Sequence, residues 1–106
     1  MATQEKILNQ LQILTNISQE GSYSDTFISA LRNIFLTEID NIEQQIKDIK
    51  IDLKAFEQQY KMSSEQFYEQ FEKGILGDDI DFVEWKAYYQ MWHSLHERLN
   101  LLQSQL

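Results

Sequence analysis

Apolar residues recur at intervals of three and four over two stretches of this chain. One runs Ile39, Ile42, Ile46, Ile49, Leu53, Phe56, Tyr60, and the other Trp85, Tyr88, Trp92, Leu95, Leu99, Leu102, Leu106. That spacing holds each set on one narrow face of an α-helix, giving two coiled-coil seams that each need a partner to exclude water. The two seams are expected to bury each other in a long antiparallel hairpin. Nearer the start, Ile7, Leu8, Leu11, Leu14 and Ile17 also repeat at helical spacing. Ile28, Leu31, Phe35 and Ile39 lead into the strict heptads through a stutter near Phe35, where a supercoil should locally unwind.

Turn and cap residues divide the pattern into four helices, at about 4–18, 24–61, 64–73 and 82–105. Thr3 is placed to N-cap the first, and Ser22 or Ser24, after Gly21, to cap the second. The second helix would span roughly 55 Å. Ser63 and Gln66 have the spacing of a capping box, Gly74 is a natural left-handed stop after Lys73, and Asp81 with Glu84 forms a second box. No flexible linker or further repeat interrupts residues 1–106, so a single helical domain is expected.

In an antiparallel pair the residue numbers across each layer sum to a constant. A sum of about 148 pairs Phe56 with Trp92 and Leu53 with Leu95 and sets Asp52 beside Arg98; a sum of about 141 instead pairs Phe56 with Trp85. The ion pair favours the first register, though weakly, since an exposed pair contributes at most about 1 kcal/mol. Folding the first helix back would set Leu14 against Ile28, Leu11 against Leu31 and Ile7 against Phe35. Ile13, Ile17, Phe27, Ile34, Leu36, Met91 and Leu101 find no place in either seam. A second copy or a bound protein would cover them.

Composition adds to this picture. The absence of proline and the abundance of Gln, Glu, Lys, Leu and Ile fit an all-α protein. No cysteine is present, which excludes disulfides and thiolate metal sites, and no apolar run is long enough to span a bilayer. The first residues lack the basic and apolar regions of a signal peptide, so a cytoplasmic location is expected. The formal net charge of −8 opposes direct nucleic-acid or anionic-membrane binding and favours a basic partner. Residues 1–36 carry only −1 of it, with Lys6 and Arg32 against Glu5, Glu20 and Asp25. The charge is densest from Glu65 to Glu84, where Glu65, Glu69, Glu72, Asp78, Asp79, Asp81 and Glu84 face only Lys73.

Residues 56–92 carry a more distinctive pattern: Phe56, Tyr60-Lys61-Met62-Ser63, Phe67, Phe71-Glu72-Lys73-Gly74, Gly77-Asp78-Asp79, Asp81-Phe82, Glu84-Trp85 and Tyr88. This run resembles a family of small, all-helical prokaryotic proteins assigned as antitoxins. The resemblance covers about a third of the chain and implies a short acidic protein that blocks a small toxin by direct contact. It extends to none of the first 55 residues. Antitoxins of many kinds also bind operator DNA, but no basic recognition helix is visible here to carry that activity.

Candidate chemistry is sparse. Asp78, Asp79, Asp81 and Glu84 supply oxygen ligands but lack the spacing of an EF-hand, and carboxylates at a helix N-terminus have a sufficient explanation in the dipole. A third use is to mimic a nucleic-acid backbone in a basic groove. His93 and His96 lie beside Glu97 without the His-Glu-x-x-His pattern of a zinc site. The aromatic group Phe67, Phe71, Phe82, Trp85, Tyr88 and Trp92 is better read as a core plugging the hairpin end than as a small-molecule pocket. No nucleophile–base pattern or phosphate loop is present, and the Glu-x-x-His pairs of helical-bundle metalloenzymes are missing. The reading is therefore a non-enzymatic protein-binding module without cofactor or metal. Its expected partner is a small basic toxin, and the competing reading is a homo-oligomeric coiled-coil scaffold. The expected partner-binding residues are Asp78, Asp79, Asp81, Phe82, Glu84 and Trp85, with Phe27 and Ile34 as a second surface.

Overall fold

The computed structural model describes residues 2–19, 21 and 23–106. They form four α-helices and, among the described residues, no strand: α1 Ala2–Ser18, α2 Asp25–Tyr60, α3 Ser64–Glu72 and α4 Ile80–Gln103. No helix is long and apolar enough to cross a membrane. The chain divides into two compact units, Met1–Ile34 and Phe35–Leu106. The division falls at the stutter, where the three-and-four stepping of apolar residues slips.

In the second unit the seams pair as an antiparallel hairpin. Phe56 lies beside Trp85 and Tyr88, and Tyr60 beside Trp85 and Phe82, so rising numbers in α2 meet falling numbers in α4. Ile42, Ile49, Leu53, Phe67, Trp85 and Leu95 form the buried core, with Ile46, Phe56, Tyr60, Leu99 and Leu102 packed against it. Leu106 is the seam residue left out: it lies beyond the end of α4 and is 57% exposed.

The register differs from the one favoured by Asp52 and Arg98. Those two residues form no ion pair, and Phe56 stacks on Trp85 with ring centroids 5.5 Å apart rather than pairing with Trp92. The reason lies in α3, which the heptad count ignores. Phe67 is fully buried and stacks on Trp85 at 3.9 Å with the planes 5° apart, and the Trp85 indole N–H donates to Ser64 Oγ at 2.8 Å. Both contacts require Trp85 to lie level with the Phe56–Tyr60 turn. Burying two large aromatic side chains stabilises by about 2–3 kcal/mol each, which outweighs one exposed ion pair.

Local signals fix α3. Gln66 N–H donates to Ser63 Oγ at 3.1 Å and Ser63 N–H to Gln66 Oε1 at 3.4 Å, completing the expected capping box. At its other end Gly74, with φ +73°, lets its own N–H reach Phe71 O and the Ile75 N–H reach Gln70 O, the two bonds of a Schellman stop. α2 stops at Tyr60 because Lys61 takes a left-handed conformation, φ +55°.

The start of α4 corrects the second expected box. Asp79, not Asp81, is the N-cap, accepting from the Asp81 N–H at 2.9 Å, so the helix begins at Ile80 instead of Phe82. In the first unit α1 already begins at Ala2, which puts Thr3 inside the helix rather than at its cap. Ser24 caps α2 by accepting from the Phe27 N–H at 3.0 Å. The alternative cap, Ser22, lies outside the described residues.

Candidate protein-binding surfaces

Two surfaces, one in each unit, contain the residues expected to bind a partner. In the second unit they gather at the turn into α4 and sort into two kinds. Trp85 is fully buried, so it supports this surface from beneath and offers a partner no contact. Phe82 is half-buried between Tyr60, at 5.1 Å, and Phe67, at 5.7 Å. Asp81 is half-buried and accepts hydrogen bonds from the Tyr60 hydroxyl and, at 3.5 Å, from Gln59 Nε2. Asp79 caps α4. Only Asp78 and Glu84 of the six are exposed carboxylates with no structural duty.

The Tyr60–Asp81 contact has an electrostatic signature. The hydrogen bond to the Asp81 carboxylate holds the phenol proton and pushes the Tyr60 pKa up to about 12, with desolvation and the charges of Asp81 and Asp79 adding in the same direction. Tyr89 is also raised, first by burial and then by the charge of Glu65.

Three residues of this surface escape a seam-based reading. Ile75, Ile80 and Val83 are 65%, 73% and 50% exposed beside Asp78 and Glu84. The turn thus presents aliphatic side chains among free carboxylates, a mixture that suits a partner with apolar and basic groups rather than a metal ion. Ile80 and Val83 lie off the Trp85–Tyr88–Trp92 stripe, and that displacement was the available signal. The other acidic residues of the segment are partly neutralised, since Glu69 pairs with Lys73 at 3.0 Å and Glu72 with Lys86 at 3.2 Å.

The aromatic group is core. Phe67 packs against Phe71, Phe82 and Trp85, the last two also lie against Tyr60 of α2, and Lys86 Nζ lies 5.3 Å from the Phe71 ring centroid. Further along α4, His93 packs edge-on against Tyr89 and Trp92, and His96 lies against Trp92 at 4.1 Å. These imidazoles are held by aromatic faces. Among the described residues no three His, Asp or Glu side chains gather to hold a metal ion.

The first unit offers a different surface. Leu11, Leu14, Tyr23, Phe27, Ile28 and Leu31 line an open apolar groove of about 440 Å³ between α1 and the start of α2. Of the expected facing residues, Leu11, Leu14, Ile28 and Leu31 therefore do converge, yet they stay 43–55% exposed. Ile34 is 58% exposed and Phe27 half-buried. The Tyr23 hydroxyl donates to Ser18 O at 2.7 Å, tying the turn to the end of α1.

No protein-family model matches this chain, and no characterised protein or solved structure is detectably similar to it.

Proposed function

We propose that this is a cytoplasmic, non-enzymatic protein-binding module that acts as an antitoxin, neutralising a small basic toxin by direct contact at the acidic turn. The observation that carries this reading is the exposure of Asp78 and Glu84 together with Ile75, Ile80 and Val83 on a scaffold held rigid by Phe67 and Trp85. The sequence pattern of residues 56–92 gives the module its antitoxin character. A net charge of −7 over residues 35–106 would speed encounter with a basic partner.

The test removes charge and keeps the fold. Asp78→Asn, Asp79→Asn and Glu84→Gln together delete three charges, and Asn serves as N-cap about as well as Asp. Asp81 is left in place because Tyr60 depends on it. The triple variant should keep its helicity, bind the product of an adjacent gene more weakly with a flatter salt dependence, and lose growth rescue when that toxin is co-expressed. Full rescue by the folded variant would remove the acidic turn from the interface.

A further inference from the structure

We infer that two copies of this chain pair through their first units, the groove between α1 and the start of α2 in each copy receiving the apolar face of the same hairpin in the other. The inference is independent of what the acidic turn binds.

Three observations carry it. First, no described residue of 3–34 is buried, although the apolar residues of two helices line one groove. Two helices alone leave that groove open, and two copies would supply four.

Second, the exposed area suits the task. Ile7, Leu8, Leu11, Ile13, Leu14, Ile17, Ile28, Leu31 and Ile34 are each 43–61% exposed. At about half exposure they present on the order of 800 Å² of apolar surface in all, so that even the part around the groove is a sizeable share of what each partner contributes to a standard stable interface. Single exposed aliphatic residues need no explanation, but nine on one short hairpin, four of them lining a single groove, mark an interaction surface.

Third, charge selects the occupant. A twofold interface brings each surface against its own copy, so any net charge on it repels itself. Residues 1–34 sum to −1, whereas residues 35–106 sum to −7. The apolar surface therefore lies on the one unit that can approach its own copy at little electrostatic cost. A basic partner is drawn by charge to the other unit.

Sedimentation equilibrium of the full chain from micromolar to millimolar concentration, with hydrogen exchange at both ends of that range, tests the inference. The chain should be a dimer at the upper end, and the concentration-dependent gain in amide protection should fall within residues 5–34. Leu11→Gln in α1 with Ile28→Gln in α2, which puts good helix formers in place of apolar residues, should weaken dimerisation by about 100-fold, the effect of losing central anchors. Leu101→Gln, on the second unit and 69% exposed, should leave it unchanged. A monomer throughout, a larger oligomer, or protection gained on the second unit would each overturn the inference. So would loss of the dimer in Leu101→Gln. The unmodified chain's exchange pattern decides the matter even where the double variant misfolds.

Discussion

The two units start from the same kind of sequence and reach different ends. Both contain helices whose apolar residues recur every three or four positions, and in both the stripes of two antiparallel segments converge. In the second unit the result is a core with Phe67 and Trp85 fully buried and Ile42 1% exposed. In the first unit Leu11, Leu14, Ile28 and Leu31 remain about half exposed. One element that the first unit lacks is α3, at the Phe56–Trp85 end of the second. A nine-residue helix with a capping box at one end and a Schellman stop at the other lays Phe67 on the indole of Trp85 and offers Ser64 Oγ to its N–H. A helical hairpin becomes a self-sufficient fold when a third element covers its open side. Without one it becomes a surface waiting for a partner.

Substitutions that strike the covering element should hurt most. Phe67→Ala or Trp85→Ala should cost about 3–5 kcal/mol in urea unfolding, from lost burial and the cavity left behind. Leu53→Asp and Leu95→Asp should also cost several kcal/mol, because each places an unpaired charge in the seam. Leu8→Ala, at a side chain 61% exposed, should cost less than about 1 kcal/mol in dilute solution. Equal losses in the two units would erase the distinction.

Ser64→Ala isolates the polar link between α3 and α4. It leaves the Trp85 indole N–H buried without a partner, at a cost of about 1–3 kcal/mol, with the stacking of Phe67 intact. A neutral outcome would mean that stacking alone seats the helix.

Tyr60→Phe tests the fastening of the α4 start to α2. The folded pKa of Tyr60 is about 12, above the ordinary value of 10.0, so the folded state holds the phenol proton more tightly than the unfolded chain does. The stabilisation is fully present below pH 10 and lost as pH rises through 12. Thermal melts of the parent should fall through that window, and those of Tyr60→Phe should fall less, with Tyr89 responsible for part of what remains. A parallel fall in both proteins would remove the hydrogen bond from the account. The smallest effect belongs to Lys61→Gly, which relieves a left-handed backbone and should stabilise by up to about 1 kcal/mol.

The stripes, the Ser63–Gln66 box and the Gly74 stop could be read from the sequence because each depends on residues within a few positions of one another. The hairpin register could not. It turned on Trp85 meeting Phe67 and Ser64, contacts made across the fold by a helix that the heptad sum leaves out. The cap of α4 differs from the expected one for a related reason: Asp79 and Asp81 offer similar carboxylates, and Asp81 is drawn away by Tyr60, 21 positions earlier. Of the expected binding residues, Asp78 and Glu84 could be placed at the surface from charge alone. Trp85 could not, since an aromatic residue beside acidic ones reads equally as a contact or as a support. Ile75, Ile80 and Val83 lie beside the seam, where the heptad pattern by itself assigns no role.

The central claim is that stability resides in the second unit while the first remains an uncovered surface. Residue-resolved hydrogen exchange on the dilute, monomeric chain tests it most directly. The amides of α3, α4 and residues 42–56 should exchange only through the global unfolding reaction, and those of α1 and residues 25–34 through far cheaper local openings. Equal protection of α1 and α4 in the monomer would contradict the account.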